Sequence, residues 1–331
     1  MSLRKEKKGL FLFFIIIIIL PFILNKFQAG GYYLGVLVPI GLFSLAAIGL
    51  NLLIGFAGQI SLGHAGFMSA GAYSSVYICS KLGYSAVYGL ILSIIVNGIL
   101  AYIISKPILK LKGHYLAMAT LGIGIIIHII FRELMYFGGG EGISVPELKI
   151  GSFNFNDYKI KEISYFYLSW SMTFFSLLLS INFINSKSGR ALKAIHLNEI
   201  AANALGINVA SYKTFIFVYS AILAGIAGSL IAHYNAYILP STFDLHTSIK
   251  LVSMVILGGV MNIWGAILGA FIIMILPELL GKFDEYEGLI YGGIIILTMI
   301  FFPEGLIFLI KKCVKHIIFF KNKFLKTKSG L

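Results

Sequence analysis

Between Gly55 and Phe67 the stretch GFAGQISLGHAGF interrupts a long apolar region with the side chains best placed to do chemistry. Four glycines, Gly55, Gly58, Gly63 and Gly66, stand among Gln59, Ser61 and His64. Glycine reaches positive φ without a side-chain clash, so such a run lets a helix break. A broken backbone at membrane depth persists only where protein or a water-filled cavity meets its freed N–H and C=O groups. The alternation of Gln59, Ser61 and Gly63 suits a short extended segment better than a helical face. Two roles fit: part of a polar path through a membrane bundle, or a tight cytoplasmic turn between two ordinary spans. Asn51, Gln59, Ser61 and Thr120 are polar side chains able to hydrogen-bond a solute in such a path. His64, His128 and His233 are ionisable groups in apolar runs, where such groups are suspects for function. His233, Asp244 and His246 form the one visible cluster with acid–base character.

The elements that must position these residues follow from composition. Of 331 residues, 59% are hydrophobic and 12% charged, with a mean hydropathy of +0.93. A soluble chain of this size needs far more charge to cover its surface. Apolar runs of helix-spanning length recur throughout, which makes this an all-α polytopic membrane protein. The net charge of +13 does not point to nucleic acid, because the basic residues lie in short segments flanking apolar runs. Cys79 and Cys313 support neither a disulfide framework nor a zinc site. No cofactor is implied.

About ten transmembrane helices fit the hydropathy, some broken by glycines: 9–25, 33–55, 66–80, 86–105, 114–132, 165–184, 212–234, 247–259, 262–280 and 287–303. The first, after Arg4-Lys5-Glu6-Lys7-Lys8, has no small-x-small cleavage site behind it and reads as an uncleaved span. Placing both termini in the cytoplasm puts eighteen basic residues and three acids inside, against eight and ten outside. That asymmetry obeys the positive-inside rule loop by loop, whereas an odd number of spans would scramble it. The chain then divides into a cytoplasmic segment with the first span, 1–32, a core, 33–306, and a basic cytoplasmic tail, 307–331, suited to the lipid surface.

Two connections are long. The outer one, 133–164, contains Gly138-Gly139-Gly140 and is either a solvated loop or a docking surface at the outer mouth. The cytoplasmic one, 185–211, predicts a short amphipathic helix with Asn198 as N-cap, Glu199 in its first turn and Gly206 as its stop. Such a helix lies on the membrane surface or is a lever gripped by a soluble partner. In 212–234, Ala224, Gly228 and Ala232 form one stripe of small residues, and Ala221, Gly225 and Ser229 its neighbour; Gly265-x-x-x-Gly269 follows. Small residues four apart let helices approach closely in lipid.

Gly189-Arg190-Ala191-Leu192, Asn198-Glu199, Ala201-Ala202 and Leu205-Gly206-Ile207-Asn208 resemble the coupling loop of ABC importer permeases of the branched-chain amino acid family, the LivM-like branch. The resemblance extends to Gly55-x-x-Gly58-Gln59-x-Ser61-Leu62-Gly63-His64, to Tyr115-x-Ala117-x-Ala119-Thr120-Leu121, to Gly258-Gly259 and to Pro303-Glu304-Gly305-Leu306. It departs where the family has Thr-Gly-Gly and this chain has Phe137-Gly138-Gly139, so no role resting on that hydroxyl carries over. The resemblance implies a permease bundle in the plasma (inner) membrane. It also implies coupling to ATPase through Gly189, Arg190, Asn198, Glu199, Ala201, Ala202, Leu205 and Gly206. Its partners would be a second permease subunit (LivH-like) or a second copy of this chain, two cytoplasmic ATPase subunits and an external substrate-binding protein. Leucine, isoleucine, valine and similar amino acids are the implied cargo, with urea or short amides carried by related permeases.

The residues agree that the chain borrows its energy, since it holds no Gly-x-x-x-x-Gly-Lys-Ser/Thr phosphate loop. It is a transporter subunit on this reading, not an enzyme. An ion-coupled secondary transporter would want an acid at the membrane midplane, and Glu278 comes nearest. An intramembrane transferase would want a convergent acid–base or metal constellation, for which only the His233, Asp244 and His246 cluster offers itself.

Overall fold

A computed structural model describes residues 3–27, 29–134, 138–150, 153–157 and 160–280, with scattered residues between 289 and 308. The helices are α1 (Leu3–Leu24), α2 (Gly30–Asn51), α3 (His64–Lys81), α4 (Ala86–Ile108), α5 (His114–Glu133), α6 (Lys161–Asn185), α7 (Lys187–Leu197), α8 (Glu199–Ala204), α9 (Val209–Asn235), α10 (Leu245–Gly258) and α11 (Ile263–Leu280). This is an all-α membrane protein. Among the described residues, five helical segments are long and apolar enough to cross a bilayer: Gly30–Phe56, Ala86–Ile108, His114–Glu133, Lys161–Asn185 and Val209–Asn235. Lys8–Leu24 and Ile263–Glu278 are shorter apolar stretches.

The expected ten spans are therefore not all matched by helices that meet both conditions. Two of the exceptions have a physical reason. Every residue from Gly63 to Tyr73 is buried, and α3 packs between α9, α4 and α5. A helix walled by protein needs no lipid-facing apolar surface, so α3 carries Ser69, Ser74 and Ser75 where a lipid-exposed span would carry leucine. The other is α10, whose 14 residues rise only about 21 Å. Most of the tenth expected span, 287–303, and most of the basic tail, 307–331, lie outside the described residues.

Close helix contacts run through glycine. The Cα of Gly71 in α3 lies against the backbone of Gly225 in α9, and Gly228 against the backbone of Met68; a Cβ at either would strike main chain. Both small-residue stripes of α9 are buried, as their spacing predicts. Gly265 and Gly269 bring α11 onto the backbone of Gly258 and Met254 in α10. Lipid tails are as apolar as leucine, so this packing and the polar contacts between helices hold the bundle together.

The described part of the 133–164 connection is folded. Its strand β1 (Ile143–Ser144) pairs antiparallel with β4 (Tyr237–Ile238), in the register Ile143↔Ile238 and Ser144↔Tyr237. Strands β2 (Lys149–Ile150) and β3 (Phe153–Asn154) make a small hairpin. Val145 and Leu148 are buried beneath it. Glu147 is exposed, and hydrogen bonds from Lys149 and Asn154, both at 2.9 Å, hold its carboxyl below the ordinary carboxylate range.

Gly71→Leu and Gly228→Leu each force a side chain into facing backbone, and over-packing of this kind costs at least about 1–3 kcal/mol. Both variants are expected to lower the thermal midpoint of the detergent-solubilised protein or to prevent its recovery. Gly122, with open space around its Cα, supplies the control: Gly122→Ala is expected to leave the midpoint unchanged or raise it.

Candidate functional site

From Asn51 the second helix continues as a π-helical turn, Leu52–Phe56, and then breaks. Gly58 takes φ +66°, and the Gln59 N–H reaches back to the Leu53 carbonyl at 3.1 Å. Hydroxyl groups then take over the work of a helix ladder. The Leu62 N–H donates to Thr120 Oγ1 on α5 at 3.1 Å, and the Ala65 N–H to Ser248 Oγ on α10 at 3.1 Å. The His64 ring lies between two hydroxyls, with Nδ1 2.9 Å from Ser61 Oγ and Nε2 2.6 Å from Ser220 Oγ on α9. A neutral imidazole donates from one nitrogen and accepts at the other, and a hydroxyl complements either. The break is thereby tied to α5, α9 and α10.

Asn51, Gln59, Ser61, His64 and Thr120 are all buried. The structure gathers Ser61, His64 and Thr120 at the start of α3 and places Asn51 elsewhere. Asn51 Nδ2 donates to the carbonyls of Gly259 at 3.1 Å and Asn262 at 3.4 Å, stapling the turn between α10 and α11. Gly55 admits the Met261 backbone to the same place. Gln59 differs from the others: both ends of its buried amide lack a hydrogen-bond partner among the described residues. Ser248 is the residue that sequence reasoning missed, because one serine in an apolar helix has no spacing to betray it.

The other ionisable candidates separate. His233 bonds Ser75 Oγ at 3.0 Å and the Pro146 carbonyl at 3.1 Å, fastening the 133–164 connection to the bundle. Asp244 caps α10 by accepting from the Thr247 N–H at 3.0 Å, and His246 is exposed. No group of three or more His, Cys, Asp or Glu among the described residues is placed to hold a metal.

The 185–211 segment forms two helices where one was expected. Asn198 is the elbow: its side chain accepts from the Ile200 and Ala201 N–H groups, both at 3.0 Å, so it starts α8 as it ends α7. Ser186 caps α7 through the Gly189 N–H, and Gly189 packs its Cα against the Ile184 backbone. Gly206 takes φ +81° after α8, the stop expected of it. Leu192, Ile195 and Ala202 face inward, while Leu197, Ile200 and Leu205 are 85%, 79% and 80% exposed, with Ala201 and Arg190 also outward. Glu199 pairs with the buried Lys213 of α9 and lies 3.8 Å from Lys112. The exposed apolar cluster stands beside an ion pair whose lysine is buried and whose glutamate is 33% exposed.

Asn198→Ala removes the cap of α8 and is expected to cost about 1 kcal/mol locally. Hydrogen exchange at residues 199–204 would then quicken roughly fivefold, with Asn198→Asp close to the native rate.

The model of a family described as the permease component of the branched-chain amino acid transport system matches residues 32–299. The chain is 29% identical to the high-affinity branched-chain amino acid transport system permease protein LivM of Salmonella typhimurium, over 92% of this chain and 76% of that protein. The identity to LivM of Escherichia coli is 28% over the same shares. LivH of Salmonella typhimurium is 24% identical over 80% of this chain and 91% of its own length. No solved structure matches significantly.

Proposed function

Because the chain belongs to the branched-chain amino acid transport system permease family, we propose that it is the membrane-spanning subunit of an ABC importer for leucine, isoleucine, valine and similar amino acids. The observation that carries this reading is the similarity to LivM over 92% of the chain, through the helical break and the cytoplasmic elbow alike. In the assembly we assign, ten spans hold both termini in the cytoplasm. A second permease subunit lies alongside, two ATPase subunits dock below and an external binding protein delivers cargo above. ATP hydrolysis is the work of the ATPase subunits.

The polar contacts suggest how force reaches the path. Closure of the ATPases presses on the apolar cluster of Leu197, Ile200 and Leu205. The Glu199–Lys213 pair passes that displacement to α9, which packs along α3. His64 and Ser220 join these two helices at the break, so a tilt of α9 moves the start of α3. Ser61, His64 and Thr120 hold the break in shape, Asn51 holds the neighbouring turn, and the unpartnered Gln59 amide is the group left for passing cargo.

In proteoliposomes holding the whole importer, the native chain is expected to accumulate leucine when ATP is supplied, and accumulation of urea or acetamide alone would overturn the assigned cargo. Glu199→Arg places a third cation beside Lys213 and Lys112, and Ala202→Arg drives a charge into a buried site. Each is expected to cut uptake at least tenfold while the protein still inserts. The orientation has its own check. A cysteine replacing Ala201 should react with an impermeant maleimide only after the membrane is opened, and labelling of intact cells from outside would reverse the topology.

A further inference from the structure

A cleft of about 1040 Å³ opens where the end of α4 faces α8 and the start of α9. Lys106 in the last turn of α4 and Lys110 just beyond it line one side, and Glu199, Asn203, Asn208 and Lys213 line the other. The one acid is taken. Glu199 pairs with Lys213, which is 5% exposed, and lies 3.8 Å from Lys112. Lys106 and Lys110 are exposed, and no carboxylate among the described residues pairs with either. The lining therefore carries three cations against one anion, and two of the cations are uncompensated.

Position decides what those charges meet. α4 is apolar enough to span a bilayer, so its last turn stands where hydrocarbon gives way to water. Ile95, Ile99, Tyr102 and Ile103 are exposed and share one face of the helix with Lys106. Lys106 Nζ lies 4.8 Å from the centre of the Tyr102 ring, and tyrosine is a residue of the headgroup layer. An apolar stripe thus runs down α4 and ends in the cationic cleft.

We propose that the cleft seats the headgroup of an anionic phospholipid whose acyl chains lie along this stripe. The phosphate accepts charge-assisted hydrogen bonds from Lys106 and Lys110, and Asn203 and Asn208 line the space for the polar group it carries. Basic pockets beside the ends of spans suit lipid headgroups. A free anion would satisfy the lysines but gain nothing from the stripe. Phosphatidylcholine brings an ammonium of its own, which two unpaired lysines repel. A lipid held there bridges α4 and α8. The end of a span meets a headgroup layer in either orientation, so the proposal does not rest on the importer reading.

The test uses the full chain in dodecyl maltoside, titrated with dioleoyl phosphatidylglycerol or dioleoyl phosphatidylcholine, with bound lipid read by native mass spectrometry. The native chain is expected to bind phosphatidylglycerol at least tenfold more tightly than phosphatidylcholine. A lysine near a lipid surface contributes about fivefold, so Lys106→Gln combined with Lys110→Gln is expected to reduce that preference below threefold. Lys26→Gln combined with Lys81→Gln removes the same charge near the ends of α1 and α3 and is expected to keep it. All four lysines are exposed, so the substitutions cost the fold little. A preference that survives the loss of Lys106 and Lys110, or that falls as far in the control pair, overturns the site. Displacement of phosphatidylglycerol by millimolar inorganic phosphate would make this a free-anion site and overturn the lipid. Phosphatidylglycerol that leaves when ATPase subunits bind would make the cleft a protein-docking face and overturn it likewise.

Discussion

A main chain that leaves the helix inside an apolar bundle must find other partners for its amides, and the arrangement around residues 57–65 is the answer to that demand. Hydroxyls supply most of it. Thr120 reaches in from α5 and Ser248 from α10, and Ser220 of α9 engages His64 beside them. Interhelical hydrogen bonds in membranes are individually modest, on the order of 1 kcal/mol. Their placement matters more than their strength. Because each partner sits on a different helix, the segment that would otherwise be the weakest joint becomes the place where the bundle is cross-linked.

That cross-linking explains the division of labour among the helices. α3 is buried from Gly63 to Tyr73 and makes its closest approaches through Gly71 and through Gly228 of α9. Backbone-to-backbone contact of this kind leaves little room for independent sliding, so α3 and α9 behave as one body. α5 also meets that body backbone to backbone, at Gly63 and Gly66 against Thr120 and Gly124, while α10 meets it at the Ser248 hydroxyl. The elbow at Asn198 connects to the stiff part, through Lys213 near the start of α9. A displacement of the elbow would thereby reach the element least able to absorb it by bending.

Much of this was legible in the residues. Polar and glycine-rich stretches stand out against apolar surroundings, so the break at 55–67 could be located from its composition. The Asn198 cap and the Gly206 stop were readable because capping chemistry is local, and the small stripes of α9 because helical spacing is periodic. Three things were hidden for physical reasons. That α3 is walled in depends on which helices surround it, information no single stretch contains. The elbow was taken for one helix because the apolar positions on both sides of Asn198 continue the same pattern. Ser61, His64 and Thr120 were singled out as groups that could meet cargo, yet each is already hydrogen-bonded within the protein; a sequence lists donors and acceptors without saying which ones protein has already claimed.

The short β1–β4 ladder joins two distant parts of the chain. It stitches the 133–164 connection to residues 237–238, only a few positions before Asp244, and the Val145 N–H adds a further rung to the Ala236 carbonyl at 3.0 Å. Hydrogen-bonded strands move together or part. The 133–164 connection thus has a drawbar attached to the start of α10, and tugging on one end must shift the other or uncouple the rungs.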